Sequence, residues 1–381
     1  MNNSFLLALS TLVGTIIGGG IFGVPYVVAK SGFVPAIFYF LVLGGAVMLL
    51  HLFFGEIALR TKEKARLIGY SKKYLGNTAG AFATFSTIFG IAGSLLAYTI
   101  LGGNFLFLML GSLLPFSETT FALLFWLVLS FFIVRGIQLI VKAEFFMNIA
   151  LFLTIGIIFF FAAPHVKFSQ FILFDSSNLF LPYGVILFAL AGWAAIPEIA
   201  DFFKKDHEKK QLDNLIVWAS LITASLYFLF SLFVVGVSGS GTTPDALQGL
   251  EPFLGKGIVV LGAFFGLVAI AASFLVLGNY LKNSLRYDFK LPYLPSAAIA
   301  IFTPVILFLL GLREFIVVLG IVGVVIGIVE GTLIVLLYKK AKAKGERIPE
   351  YSLRIPRVLL YLVGVVLVGG ALAELYFQYA R

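Results

Sequence analysis

The sequence predicts an all-α integral membrane protein of eleven transmembrane helices, arranged as two five-span halves in an inverted repeat with one added helix. Three observations carry that expectation. Hydrophobic residues make up 61% of the 381-residue chain and charged residues only 12%, with a mean hydropathy of +1.07. A water-soluble domain of this size could not bury so much apolar surface, so lipid is the solvent. The apolar residues fall in runs of about 20 or more, enough to cross a bilayer, and the charges collect between them. The first and sixth runs are interrupted by clusters of small residues at matching positions.

Hydrophobic runs read against turn and charge punctuation place spans at roughly 5–29, 34–59, 79–111, 119–134, 139–163, 180–203, 212–238, 256–283, 294–311, 314–338 and 356–378. The first repeat is expected over 1–163, the second over 164–338, and a basic loop with the extra eleventh span over 339–381. The chain runs from Met1 into an apolar segment without a basic n-region or a small-residue cleavage site, so this segment reads as a retained span. On alternating connections, 22 of the 27 Lys and Arg residues fall on one side, leaving Lys30, Lys167, Lys256, Arg313 and Arg381 for the other. The positive-inside rule then puts the N-terminus in the cytoplasm and, with an odd span number, the C-terminus outside. Short loops point to a prokaryotic cell membrane.

Composition also excludes function classes. A net charge of +9 is spread over connections with no soluble module to present it, which argues against nucleic acid as a partner. Cysteine is absent, so disulfides, thiolate metal sites and cysteine nucleophiles are excluded. His51, His165 and His207 are scattered over a span and two loops, and neither a metal cluster nor a Ser/His/Asp set is formed, so no enzyme and no cofactor is expected. A channel would repeat polar rings along several helices, and none is visible.

The first span reads GTIIGGGIFGVP from Gly14 to Pro25. Each glycine costs about 1 kcal/mol against alanine in a helix, and three in a row cannot serve one packing face, so unwinding near Gly18–Ile21 is expected. Glycines spaced for close helix packing look different, as in Gly323, Gly327 and Gly331 of the tenth span. The sixth span repeats the interruption at Ala191-Gly192-Trp193-Ala194-Ala195-Ile196-Pro197-Glu198. Unpaired peptide groups at membrane depth are tolerated only where they line a cavity or meet a ligand. Paired interruptions in two halves therefore mark a transporter site, whose amide and carbonyl ends suit a zwitterion.

The first-span residues Gly14, Thr15, Ile17, Gly18, Gly20, Pro25, Gly32 and Phe33 resemble the signature of the amino acid/polyamine/organocation permease superfamily. Within it the chain is similar to the amino acid/auxin permeases and the bacterial aromatic amino acid permeases. Weaker echoes are Glu56, Tyr98, Pro197-Glu198 and Ala272–Leu275 with Gly278. The resemblance implies a LeuT-type fold with helices 1 and 6 broken. It further implies that Gly18, Gly19 and Gly20 hold the substrate carboxylate. Ile21, Ala191, Gly192, Trp193 and Ala194 would complete the pocket, with Trp193 and Tyr98 as walls or gates.

The resemblance leaves the coupling ion, Na+ or H+, open. Ser273 with the carbonyls of Gly14 and Ile17 matches the sodium position of relatives, while the span-five lysine of other members aligns with Leu151 and is missing. The aromatic branch is largely proton-linked. Polar residues inside spans are His51, Glu56, Asn148, Glu198 and Glu330. Glu56 and Glu198 are expected at the inner gate or in a structural role, and Glu330 in a proton or packing role. The expected activity is ion-coupled symport of a neutral, apolar or aromatic amino acid, with an exchanger, a facilitator and a sensor as alternatives. No fixed charge stands in either break, and no obligate protein partner is expected.

Overall fold

The computed structural model describes residues 3–135, 152, 153, 155–287 and 289–379. The first span is two helices, α1 (Asn3–Ile16) and α2 (Gly20–Ser31), bent by 57° across the glycine cluster. Then follow α3 (Phe33–Arg60), α4 (Leu67–Leu75), α5 (Asn77–Leu110), α6 (Glu118–Arg135) and, after a gap in the described residues, the apolar helix α7 (Ile155–His165). The sixth span is again split, into α8 (Pro182–Leu190) and α9 (Ile196–Phe202). The rest comprises α10 (Leu212–Ser238), α11 (Lys256–Tyr287), α12 (Tyr293–Leu309), α13 (Phe315–Ile326), α14 (Thr332–Lys344) and α15 (Arg357–Tyr379).

Among the described residues, eight helices are long and apolar enough to cross a membrane, or nine with the bent first pair counted as one span. The shorter apolar helices α7 and α12 overlap the fifth and ninth runs. Three features differ from the sequence expectation. The connection 60–77 contains α4, whose nine residues are too few and too mixed in polarity to stand out from a basic loop. The tenth span continues to Lys344 and is interrupted by a π-helical turn at Gly327–Gly331 between α13 and α14. The stretches after α7 and α10 contain short 3-10 turns, at Phe168–Gln170, Ser176–Asn178 and Gly239–Gly241.

The inner helices α2 and α8 pack side by side and are enclosed by α3, α5, α10 and α13. Large apolar side chains such as Leu41, Phe160, Leu310, Val358 and Tyr376 point outward, as expected of helices solvated by lipid. Glycines set the closest approaches. A Cβ on Gly323 would collide with the carbonyl oxygen of Gly184, and one on Gly327 with Leu187, so α13 lies directly on α8. The packing role expected for that glycine series is thus seen at Gly323 and Gly327, while Gly331 faces Leu367 of α15. Gly32 ends α2 at φ +99°, and its missing side chain admits the backbone of Leu173 and Phe174. There Phe33 and Val34 N–H groups donate to the Ile172 and Leu173 carbonyls at 2.8 and 3.0 Å. At the far end of α6, the buried Lys282 ammonium donates to the Ile133 carbonyl at 2.6 Å, a cation at a helix C-terminus.

Candidate functional site

The regular ladder of α1 ends with Ile17 N–H donating to Val13 C=O at 3.0 Å. Gly18 N–H then turns back to Ile16 C=O at 3.0 Å, and α2 begins with long bonds from Ile21 to Gly18 (3.3 Å) and Phe22 to Gly19 (3.2 Å). The Ile16 carbonyl also accepts from the Tyr227 hydroxyl of α10 at 2.9 Å. Gly18 and Gly19 are needed because the Tyr98 side chain lies on them: a Cβ would stand 3.0 Å from its hydroxyl and 2.7 Å from its ring, respectively. That hydroxyl faces the Gly19 amide and the Ser273 hydroxyl of α11. Gly20 serves α8 instead, since its Cβ would lie 2.9 Å from the Ala189 Cα.

The second break opens at Ala191, which is extended at φ −68° and ψ +111°. Gly192 follows, and a 3-10 turn at Trp193–Ala195 leads into α9. Two side chains from other helices hold this stretch. Gly192 N–H donates to His51 Nε2 of α3 at 3.2 Å, which puts the imidazole proton on Nδ1, where it meets the Ser220 hydroxyl at 3.2 Å. Trp193 Nε1–H donates to Glu330 Oε2 at 2.6 Å, both residues being buried. The two breaks abut, because a Cβ on Gly192 would strike Ile16.

The expected substrate residues Gly18, Gly19, Gly20, Tyr98, Gly192 and Trp193 therefore come together around the touching breaks. Ile21 is fully buried, Gly18 and Ala191 are partly open, and Ala194 is exposed. Of the expected ion residues, Gly14 and Ile17 are buried at the end of α1, while Ser273 reaches the site through Tyr98. Asn148 and Leu151 lie outside the described residues. The breaks contain no charge of their own, but a carboxyl reaches the second one from the π turn of the tenth span.

Glu56 and Glu198 stand away from the breaks, at the basic end. Glu56 is fully buried, pairs with Arg60 at 2.7 Å and accepts from the Leu353 N–H (2.7 Å) and the Ser352 hydroxyl (3.1 Å). It anchors the loop between α14 and α15 onto α3. Glu198 is exposed and pairs with Arg66 at 2.6 Å, beside a Lys64–Asp201 pair at 3.2 Å. On the same surface, the Lys73 ammonium bonded to Glu346 holds that carboxyl below its ordinary range. Sequence reasoning missed Tyr227, Ser220 and Glu374: the first two are scattered with Thr223, Ser225 and Ser231 through one apolar run, and none has a local pattern to mark it.

A chain with two abutting helix breaks in a lipid-facing bundle has the architecture of a secondary transporter. Residues 1–374 match the family model described as the tryptophan/tyrosine permease family. The chain belongs to that family. As such a permease it is a multi-pass membrane protein that transports amino acids, not an enzyme. No curated protein matches it. Among solved structures it is similar to MhsT, determined in complex with L-phenylalanine. The TM-score is 0.62 at 14% identity, covering 100% of this chain and 99% of MhsT. That likeness shows a shared LeuT-type fold.

Proposed function

We propose that this permease is an ion-coupled symporter that accumulates aromatic amino acids by alternating access. The observation that carries this reading is the contact of two interrupted helices, at Ile16 and Gly192, with their peptide groups off the regular ladder. The substrate carboxylate binds at the start of α2, around Gly18, Gly19 and Gly20, where the helix dipole favours an anion and where the Gly18 and Gly19 amides exchange their present partners, the Ile16 carbonyl and the Tyr98 hydroxyl, for it. Its ammonium group binds the carbonyls left free at the ends of α1 and α8, including those near Ala191. The Tyr98 ring, Phe188 and Ile270 form an apolar wall for the side chain, with Ile21 behind it; Gly192, Trp193 and Ala194 close the second side. MhsT, which shares the fold, was determined with an aromatic amino acid, in keeping with the family description.

In the membrane the basic end, with Glu56 and Glu198, faces the cytoplasm. The eleven spans divide into repeats at 1–163 and 164–338, with 339–381 added outside the symmetry. The Arg66–Glu198 pair closes the cytoplasmic gate. A sodium ion, if it is the coupling ion, takes the oxygens of Gly14, Ile17 and Ser273; a proton requires a carboxyl, and Glu330 is the one beside a break.

Purified protein in proteoliposomes, given labelled tryptophan, tyrosine and phenylalanine with sodium and pH gradients imposed separately, tests this. Uphill uptake of at least one of the three under one gradient is expected. Inertness towards all three, or accumulation of only charged amino acids, refutes the reading; uptake only against a counter-substrate makes the protein an exchanger.

A further inference from the structure

We infer that the Glu330 carboxyl is the site that binds and releases the coupling proton, and that the Trp193 indole passes its charge state to the second break. The inference rests on the symport reading above and names the ion that drives it. Three structural facts converge on this carboxyl. It is buried, at 8% exposure, on a π turn, a distortion of the α-helical ladder that recurs at functional sites. Its hydrogen-bond partner, the Trp193 indole at 2.6 Å, is neutral, and so are the nearby Ser86 and Thr87 hydroxyls of α5, of which the buried Ser86 hydroxyl makes no hydrogen bond. The indole it holds belongs to the residue that follows Gly192 and opens the 3-10 turn, so the carboxyl is bonded to the second break itself.

The surroundings supply no permanent counter-charge. The packed helices are α5, α8, α13, α14 and α15, and among the described residues none brings Lys or Arg into an ion pair with Glu330. On α14 the first lysine, Lys339, is nine residues further along, about 13 Å by helical rise, and lies over the Tyr361 ring. On α15 the Glu374 carboxyl accepts from Gly184 N–H, and Arg357 is at the basic end. Tyr98 of α5 faces Gly19 and Ser273, and Tyr183 of α8 donates to the Leu367 carbonyl. His51 of α3 lies beside the indole, ring centroids 6.2 Å apart, and its Nε2 is occupied by Gly192.

An ionised carboxylate in this setting is tolerable only while water reaches it. Occluding a zwitterionic substrate beside it removes that water, and a proton taken from the aqueous side then neutralises the group. The carboxylic acid keeps one oxygen on the indole and donates its new O–H to Ser86 or Thr87. The indole bond changes from charge-assisted to neutral, roughly halving its strength, and the 191–195 turn is freed to move. Opening on the cytoplasmic side rehydrates the group and the proton leaves.

Glu330→Gln, with its permanently neutral side chain, is assayed in proteoliposomes for uptake driven by a pH gradient and for counterflow exchange without one. Gradient-driven accumulation is expected to fall at least tenfold more than counterflow. Accumulation that survives at the level of the parent protein overturns the inference. If the variant is inert in both assays, Trp193→Phe decides. Losing the indole donor must move the pH of half-maximal uptake alkaline by about one unit, because the ionised form has lost a partner; an unmoved profile overturns the proposal. A parent protein driven by sodium and indifferent to pH defeats this inference but leaves amino-acid symport standing, whereas one that carries no aromatic amino acid defeats the earlier reading.

Discussion

At Gly20 a single hydrogen separates the two halves of the site, because the neighbour at 2.9 Å is the backbone of Ala189 and cannot rotate away. Gly20→Ala must push α2 from α8, and we expect aromatic amino-acid uptake to fall more than tenfold while membrane expression persists. Gly18→Ala meets only the Tyr98 hydroxyl at 3.0 Å, so its loss should be smaller; equal losses would show that packing at Gly20 is not limiting. His51 makes a second residue-scale case. His51→Leu strands the buried Gly192 N–H, which costs about 1–3 kcal/mol, and His51→Gln returns an acceptor. Thermal unfolding in detergent should rank the parent first, then Gln, then Leu. The glycine cluster was legible in the sequence because its signal is local: three poor helix formers in a row. The bonds that hold the second break were not, since the partners of Gly192 and Trp193 stand 141 and 137 positions away.

Spans announce themselves by hydrophobic length, so most helix positions followed from the sequence within a few residues. The irregularities did not. A π turn at Gly327–Gly331 has no periodicity of its own, and its glycines were read only as packing positions. Nor did apolar length reveal what α15 does. Tyr183 donates to Leu367 C=O at 2.6 Å, and Gly184 N–H, one of the orphan donors at the start of α8, donates to Glu374 Oε2 at 2.8 Å. α15 therefore clamps α8, the first half of the second broken span. Glu374→Leu should destabilise the protein by about 1–3 kcal/mol and depress transport, while Glu374→Gln, which keeps an oxygen for the Gly184 amide, should recover most of both. Equal behaviour of the two variants in thermal unfolding and uptake would remove the clamp.

For the whole molecule, the proposed alternating-access cycle uses the breaks as its hinge and the basic end as its latch. Arg66 and Glu198 are 52% and 61% exposed, so their ion pair is worth no more than about 1 kcal/mol. Such a latch cannot lock the gate; it biases an equilibrium, which suits a cycle that must open and close with each turnover. Because the chain has no cysteine, a single Ala191→Cys substitution reports access to the half-buried second break without background. Adding Arg66→Ala should raise the rate of maleimide labelling from the basic side about twofold to fivefold at low ionic strength, the factor that about 0.5–1 kcal/mol supports. High salt, which screens exposed charges, should raise labelling in the Ala191→Cys protein by a similar factor and add little in the double variant. Salt sensitivity that persists undiminished without Arg66 would place the latch elsewhere, at the Lys64–Asp201 pair or at the loop that Glu56 anchors.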